Sequence, residues 1–153
     1  MRDKNRYNPT MNKNPPEVLL GFDFGTKRIG VAVGQTITRT ARPLETIPAK
    51  DGEPQWDPLT KLVQTWQPDA LIVGIPLNMD GTEQRLTVLA RAFADALQER
   101  FKLPVHGVDE RLTTRDAREQ MFSKGGYKAL QNGQVDSVAA QLILETWFMQ
   151  TES

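Results

Sequence analysis

The stretch EVLLGFDFGTKRIGVAV, residues 17–33, decides how the chain is read. Its first part, 17–24, is a short apolar run with one acid, Asp23, near its end, the pattern of a buried strand. Gly25-Thr26-Lys27-Arg28 follows as a turn, and IGVAV at 29–33 predicts a second strand. A link this short joins antiparallel strands, so the pair forms a hairpin. Side chains alternate along a strand, which puts Leu19, Gly21 and Asp23 on one face. A carboxylate on such an apolar strand is costly unless it is paired or holds a cation.

Outward from the hairpin, a third strand is expected within 37–47, with Pro43 placing it at a sheet edge or breaking it. Residues 48–58 are expected to form a loop. The pattern then changes. Leu59, Leu62, Val63 and Trp66 follow helical spacing, and Pro68 ends that helix. ALIVGI at 70–75 is apolar throughout, a buried parallel strand. After a loop at 76–81, the longest helix is expected over 82–101, with Leu86, Leu89, Ala90, Phe93, Leu97 and Phe101 on one face. A fifth strand is expected at 105–109 and a helix at 113–122 capped by Thr113 or Thr114. SKGGYKALQNG at 123–133 reads as a Gly-rich loop. A last helix follows at 135–150, turning Ala139, Ala140, Ile143 and Trp147 inward. This order suits an α/β fold: a five-stranded mixed sheet, antiparallel on one side and parallel on the other, with helices on both faces. Sites in such sheets form outside the carboxyl ends of the parallel strands.

The 153 residues correspond to about one domain, expected at 17–150. Residues 1–16 are polar, rich in Asn and Pro and without periodicity. They are expected to be a disordered leader, with Met11 an alternative start. The absence of cysteine excludes disulfide scaffolds, thiolate metal sites and cysteine nucleophiles. No apolar run is long enough for a membrane helix, and the N-terminus has no signal-peptide centre, so a cytosolic address is expected. Lys plus Arg and Asp plus Glu both number 19, but unevenly placed: residues 1–42 carry 8 basic and 3 acidic side chains, and 43–110 carry 6 and 11. Net charge therefore argues neither for nor against nucleic acid, and a local basic surface is compatible with it.

Three acids fall where chemistry is expected. Asp23 ends the first strand. VDER at 108–111 follows the fifth, and alternation sends Asp109 and Glu110 to opposite faces without saying which aims toward Asp23. Asp136 heads the inward stripe of the last helix. Each has a simpler use: a turn cap for Asp23, an ion pair with Arg111 or Arg115 for Glu110, the helix dipole for Asp136. Together, two strand ends and one helix start can converge at one rim of the sheet. Carboxylates without a His or Cys cluster select hard cations, Mg²⁺ or Mn²⁺. Two such ions about 4 Å apart stabilise the attacking and leaving oxygens of a phosphodiester. Other chemistries lack support. The letters DFG at 23–25 come without a phosphate loop or a kinase catalytic stretch. His106, the one histidine, sits mid-strand and reads as a packed or partly exposed residue. Serine occurs at 123, 137 and 153 alone, with no triad pattern.

LGFDFGTKRIGVAVG at 20–34, IVGIPLNMDGTE at 72–83, VDERLTT at 108–114 and NGQVDSVAAQLILE at 132–145 together resemble the YqgF family. These are the pre-16S ribosomal RNA nucleases, also called Holliday-junction resolvase-like proteins. The resemblance spans residues 17–150, and four motifs in order make it specific. It implies the three-layer RNase H-like fold and metal-dependent phosphodiester cleavage at the 5′ end of pre-16S rRNA. It carries the catalytic and metal-binding acids onto Asp23, Glu110 and Asp136, with Mg²⁺ or Mn²⁺ as cofactor. Asn132 stands where the family often has a basic residue; Lys124, Lys128 and Tyr127 are candidates to supply charge and stacking instead. Lys27, Arg28 and Arg111 are expected to hold backbone phosphates, and Thr26 and Asn78 to orient substrate or water. The expected partners are pre-rRNA, branched DNA or ribosomal particles, with the protein a monomer or weak homodimer. Three other readings stand beside this one: a junction resolvase, in which symmetric cutting favours a dimer; a non-catalytic RNA-, ribosome- or transcription-associated module; and half of an actin-like ATPase, whose cleft needs two domains.

Overall fold

The computed structural model describes residues 17–113 and 135–151. In chain order the elements are β1 (Val18–Asp23), β2 (Arg28–Gln35), β3 (Thr40–Lys50), β4 (Glu53–Pro54), α1 (Trp56–Trp66), β5 (Ala70–Ile75), α2 (Arg85–Phe101) and β6 (Val105–Asp109). A turn of 3-10 helix (Glu110–Thr113) and the helix α3 (Val135–Gln150) complete them. The strands form one sheet in the order β4-β3-β2-β1-β5-β6. β1 is antiparallel to β2 and parallel to β5, and β5 is parallel to β6. The expected mixed α/β sheet is therefore present, hairpin on one side and parallel strands on the other.

Three expectations need correction. The sheet has six strands among the described residues, not five, and 48–58 is not a loop. β3 runs on through Pro48 to Lys50, the chain reverses over Asp51 (φ 53°) and Gly52 (φ 87°), and β4 pairs back with Ala49 and Lys50. Main-chain bonds hold this extension. Ala49 N donates to Lys27 O and Gly52 N to Thr26 O, each at 2.9 Å, so the added hairpin braces the β1–β2 turn. α1 accordingly begins at Trp56. Pro43 is accommodated because β4 pairs only with the far end of β3, leaving β3 at Pro43 an edge, and because the β2–β3 register shifts there: Val31 faces Glu45 and Ala32 faces Pro43. The longest helix starts at Arg85 rather than at 82. Thr82 is used instead in a turn, its N and Oγ donating to one Asp80 oxygen at 2.9 and 2.6 Å. The helix expected at 113–122 and the loop at 123–133 lie outside the described residues, apart from Thr113 in the 3-10 turn, as does the expected leader.

The alternation of β1, β2 and β5 divides the interior in two. Leu20, Phe22, Phe24, Ile29, Val31, Val33, Leu71, Val73 and Ile75 face α1 and α2. Phe93 of α2 is central there, with its ring 5.6 Å from Phe22 and 5.2 Å from Phe24. Leu19, Ala32, Ala70 and Ile72 face α3, meeting Ala140, Ile143, Leu144 and Phe148. Helices thus cover both faces. Ala140 and Ile143 are buried as expected, while Ala139 and Trp147 are half-buried.

The α3 side of β2 is floored by Gly30, Ala32 and Gly34, with Gly21 beside them on β1. A Cβ on Gly30 would stand 1.9 Å from the carbonyl oxygen of Asp136, and one on Gly21 2.5 Å from Leu144 Cγ. The first turn of α3 therefore lies directly on the strand's main chain. That close approach brings Asp136 to the end of the sheet where Asp23 emerges, because Gly30 is the β2 partner of Asp23.

Candidate active site

The C-terminal ends of β1, β5 and β6 open on one rim. Asp23 ends β1, and Glu110 follows β6 at the point where the strand gives way to the 3-10 turn. Val108 packs on the α3 side, so alternation along β6 carries Glu110 to that side and turns Asp109 away from it. There Glu110 hydrogen-bonds with Asp23. Gly74 of β5 makes the space: a Cβ there would lie 3.0 Å from Glu110 Cγ and 2.4 Å from Ile143 Cδ1. Gly74 is a position that sequence reasoning missed; a glycine within an otherwise bulky strand was the available signal.

Electrostatically the cluster is under-neutralised. The Asp23 carboxyl is raised from its ordinary 3.8 to about 8, first by burial and then by the charges of Glu110 and Asp136 and the hydrogen bond to Glu110. Burial raises Glu110 as well, opposed by the bond from Asp23 and assisted by the Asp109 charge. Both shifts disfavour two bare carboxylates side by side, so the spot favours positive charge. Asp136 stands beside them but its Oδ2 accepts from Arg28 Nε at 3.2 Å. Among the described residues, no three acidic or histidine side chains stand close enough to hold one ion as they are. The donor chemistry itself, all oxygen and mostly anionic, suits a hard divalent cation. Asp23, Glu110 and Asp136 could hold one if Asp136 exchanges Arg28 for it.

Asp109 has a different task. Its two oxygens accept from the Arg111 guanidinium, the shortest contact being 2.6 Å, and Oδ1 also accepts from Arg111 N at 2.9 Å. The Arg111 bonds hold Asp109 below its usual range. Arg111 Nη1 also donates to the carbonyl of Met79 at 3.2 Å, tying β6 to the loop after β5. Asn78 closes that loop, its side-chain amide donating to Thr82 Oγ and its main-chain N to Thr82 O, each at 2.9 Å. Thr26, Lys27 and Arg28 are exposed on the β1–β2 turn beside Asp23. The structure thus gathers Asp23, Glu110, Asp136 and Arg28, with Thr26 and Lys27 adjacent, and puts Arg111 and Asn78 on the loop beyond β5. Lys124, Tyr127 and Lys128 lie outside the described residues. His106 stacks on Trp147 with ring centres 4.8 Å apart, away from the acids.

Comparison with known proteins agrees with this architecture. The family model described as "RuvX: Holliday junction resolvase" matches residues 17–150. A protein of Aeromonas salmonicida named "Putative pre-16S rRNA nuclease" is 60% identical over 129 residues, covering 84% of this chain and 92% of its own length. A Haemophilus influenzae protein of the same name is 58% identical over 133 residues, covering 87% and 96%. Among solved structures, Thermus thermophilus RuvC in complex with a Holliday junction substrate superposes with a TM-score of 0.55 at 17% identity, over 88% of this chain and 94% of that one, so the two share a fold. No helix among the described residues is long and apolar enough to cross a membrane. With a family model spanning the whole described sheet and relatives this similar, the chain belongs to the RuvX family of nucleases.

Proposed function

We propose that this chain is a divalent-cation-dependent endonuclease of the cytosol that hydrolyses phosphodiester bonds, with the 5′ end of pre-16S rRNA as its substrate. The observation that carries this reading is the meeting of Asp23 and Glu110, with Asp136 alongside, at the rim where β1, β5 and β6 end. Asp23, Glu110 and Asp136 would hold Mg²⁺ or Mn²⁺. When bound, such an ion lowers the pKa of a coordinated water and offsets the charge that develops on the phosphate.

The chain's own residues supply position and charge. Lys27 and Arg28 on the β1–β2 turn hold phosphates of the strand being cut, and Thr26 orients its backbone. Arg111, fixed by Asp109, places positive charge toward a backbone phosphate on the other side of the rim. Asn78 sets the shape of the β5 loop against which the strand lies. Lys124, Tyr127 and Lys128 contribute charge and base stacking. The A. salmonicida and H. influenzae relatives, by name, favour pre-16S rRNA as the substrate.

The description of the family model favours a second reading, cleavage of branched DNA. Purified protein with Mn²⁺, offered a precursor rRNA fragment and a synthetic four-way junction side by side, separates the two. Cleavage of the RNA supports the first reading and cleavage of the junction alone the second. Cutting of neither leaves a binding module. Asp23→Asn and Asp136→Asn are expected to abolish cleavage with the fold intact. Full activity in both variants, or in excess EDTA, rejects the cation-dependent scheme.

A further inference from the structure

We infer that Arg28 is a counter-ion latch on the acid cluster: its guanidinium occupies Asp136 in the resting protein, and a divalent cation binds by displacing it. The inference rests on the cation-dependent reading above and goes beyond it, because it assigns Arg28 a role in cation affinity.

Arg28 opens β2 and shares a face with Gly30, Ala32 and Gly34, the face on which α3 lies. The bare backbone at Gly30 lets the first turn of α3 settle onto the strand, and Asp136 then falls within reach of the side chain two residues earlier. The resulting Arg28 Nε to Asp136 Oδ2 contact is 3.2 Å, and the two side chains are 64% and 29% exposed. Asp136 is the more enclosed partner and is held in place by its helix. Arg28 is the exposed partner, free to swing.

A guanidinium does not lose its proton at any physiological pH, so it cannot yield Asp136 by becoming neutral. It has to move. A divalent cation among Asp23, Glu110 and Asp136 would need the oxygen that Arg28 occupies and would repel the guanidinium as well. The pairing also accounts for the lack of a ready three-carboxylate cage among the described residues. An exposed ion pair contributes up to about 1 kcal/mol, so the latch lowers cation affinity by up to about fivefold.

The test is Mn²⁺ binding by the full chain, read from the electron paramagnetic resonance signal of free Mn²⁺, with no turnover required. Arg28→Gln is expected to bind Mn²⁺ about fivefold more tightly than the parent, and Arg28→Lys to keep the parent's affinity. In an Asp136→Asn background, which itself binds more weakly, Arg28→Gln is expected to give no gain. Equal affinities for the parent and Arg28→Gln overturn the latch while leaving the cation site standing. The same gain in both backgrounds also overturns it, since the effect is then long-range charge and not competition for Asp136. Failure of every protein, the parent included, to bind Mn²⁺ overturns the cation-dependent reading and the latch with it.

Discussion

Replacing Asp23 by Asn should stabilise this protein in the absence of divalent ions, by an amount that grows with pH. The Asp23 carboxyl rises from 3.8 to about 8 on folding, mainly through burial and then through the charges of Glu110 and Asp136. Below pH 3.8 the carboxyl is protonated in both states, and its folded environment costs nothing in charge. Between those two values the unfolded chain has released a proton that the folded chain retains, so stability falls by about 1.4 kcal/mol per pH unit as pH rises. At pH 7 the accumulated loss is about 4 kcal/mol, and it is complete once the pH passes the folded value. Asn keeps the shape, removes the charge and can donate to Glu110. Its buried amide still has to be hydrogen-bonded, so about half of the gain, roughly 2 kcal/mol, is expected to survive. Urea unfolding in EDTA at pH 4.5, 7 and 8.5 reads this directly. With a slope of about 2 kcal/mol/M the variant's midpoint should lie about 1 M higher at pH 7, with a smaller gap at pH 4.5. Adding Mg²⁺ should then stabilise the parent more than the variant. A variant no more stable than the parent at pH 8.5, or a gap that does not change with pH, would show that Asp23 is not held in an unfavourable charged environment.

Other substitutions separate the parts of the site. Gly30→Val should destabilise the fold by about 3 kcal/mol, measured by thermal unfolding, because the new Cβ meets the Asp136 carbonyl and no side-chain rotation relieves it. Gly74→Ala should cost less, about 1–2 kcal/mol, since Ile143 Cδ1 can give way, but it should lower cleavage at least tenfold by displacing Glu110. Equal activity with a lowered melting temperature would remove Gly74 from any role in placing that carboxylate. Glu110→Gln should weaken Mn²⁺ binding more than tenfold, whereas Asp109→Asn, which loosens Arg111, should change it less than threefold and act on substrate KM instead. The reverse ranking, seen by titration calorimetry, would exchange the roles of the two acids.

Much of the sheet was legible because its central strands are continuous apolar runs. β5 and β6 fall at the expected residues, and the β1–β2 hairpin follows from a turn too short for any other connection. β4 was not legible. It is two residues long, and main-chain bonds to the β1–β2 turn hold it, about which side-chain pattern says nothing. The start of α2 was misplaced because Thr82 is as good in a turn as at a helix start, and Asp80 decided between them. Asp23 and Asp136 could be picked out singly as acids on apolar faces. The choice between Asp109 and Glu110 could not be made from the sequence, because it depends on which face of β6 meets α3, and only the packing of Val108 against that helix fixes it. The Arg28–Asp136 pair joins residues 108 apart in sequence, and no local pattern announces it. The alternating Gly30, Ala32 and Gly34 were visible as small residues, but their purpose depends on a helix more than a hundred positions downstream.

Asp136 is located by one peptide chain resting on another, with no rotamer between α3 and β2 at that point. Deeper in the same layer, Leu144 and Phe148 meet the sheet through side chains, which can change rotamer, whereas the helix start has no such slack. Heat that loosens either apolar layer should therefore reach the geometry of the acids late, after the far end of α3 has begun to fray. Variants selected for thermal endurance have more room to change side chains in either layer than to change the bare strand under the helix start.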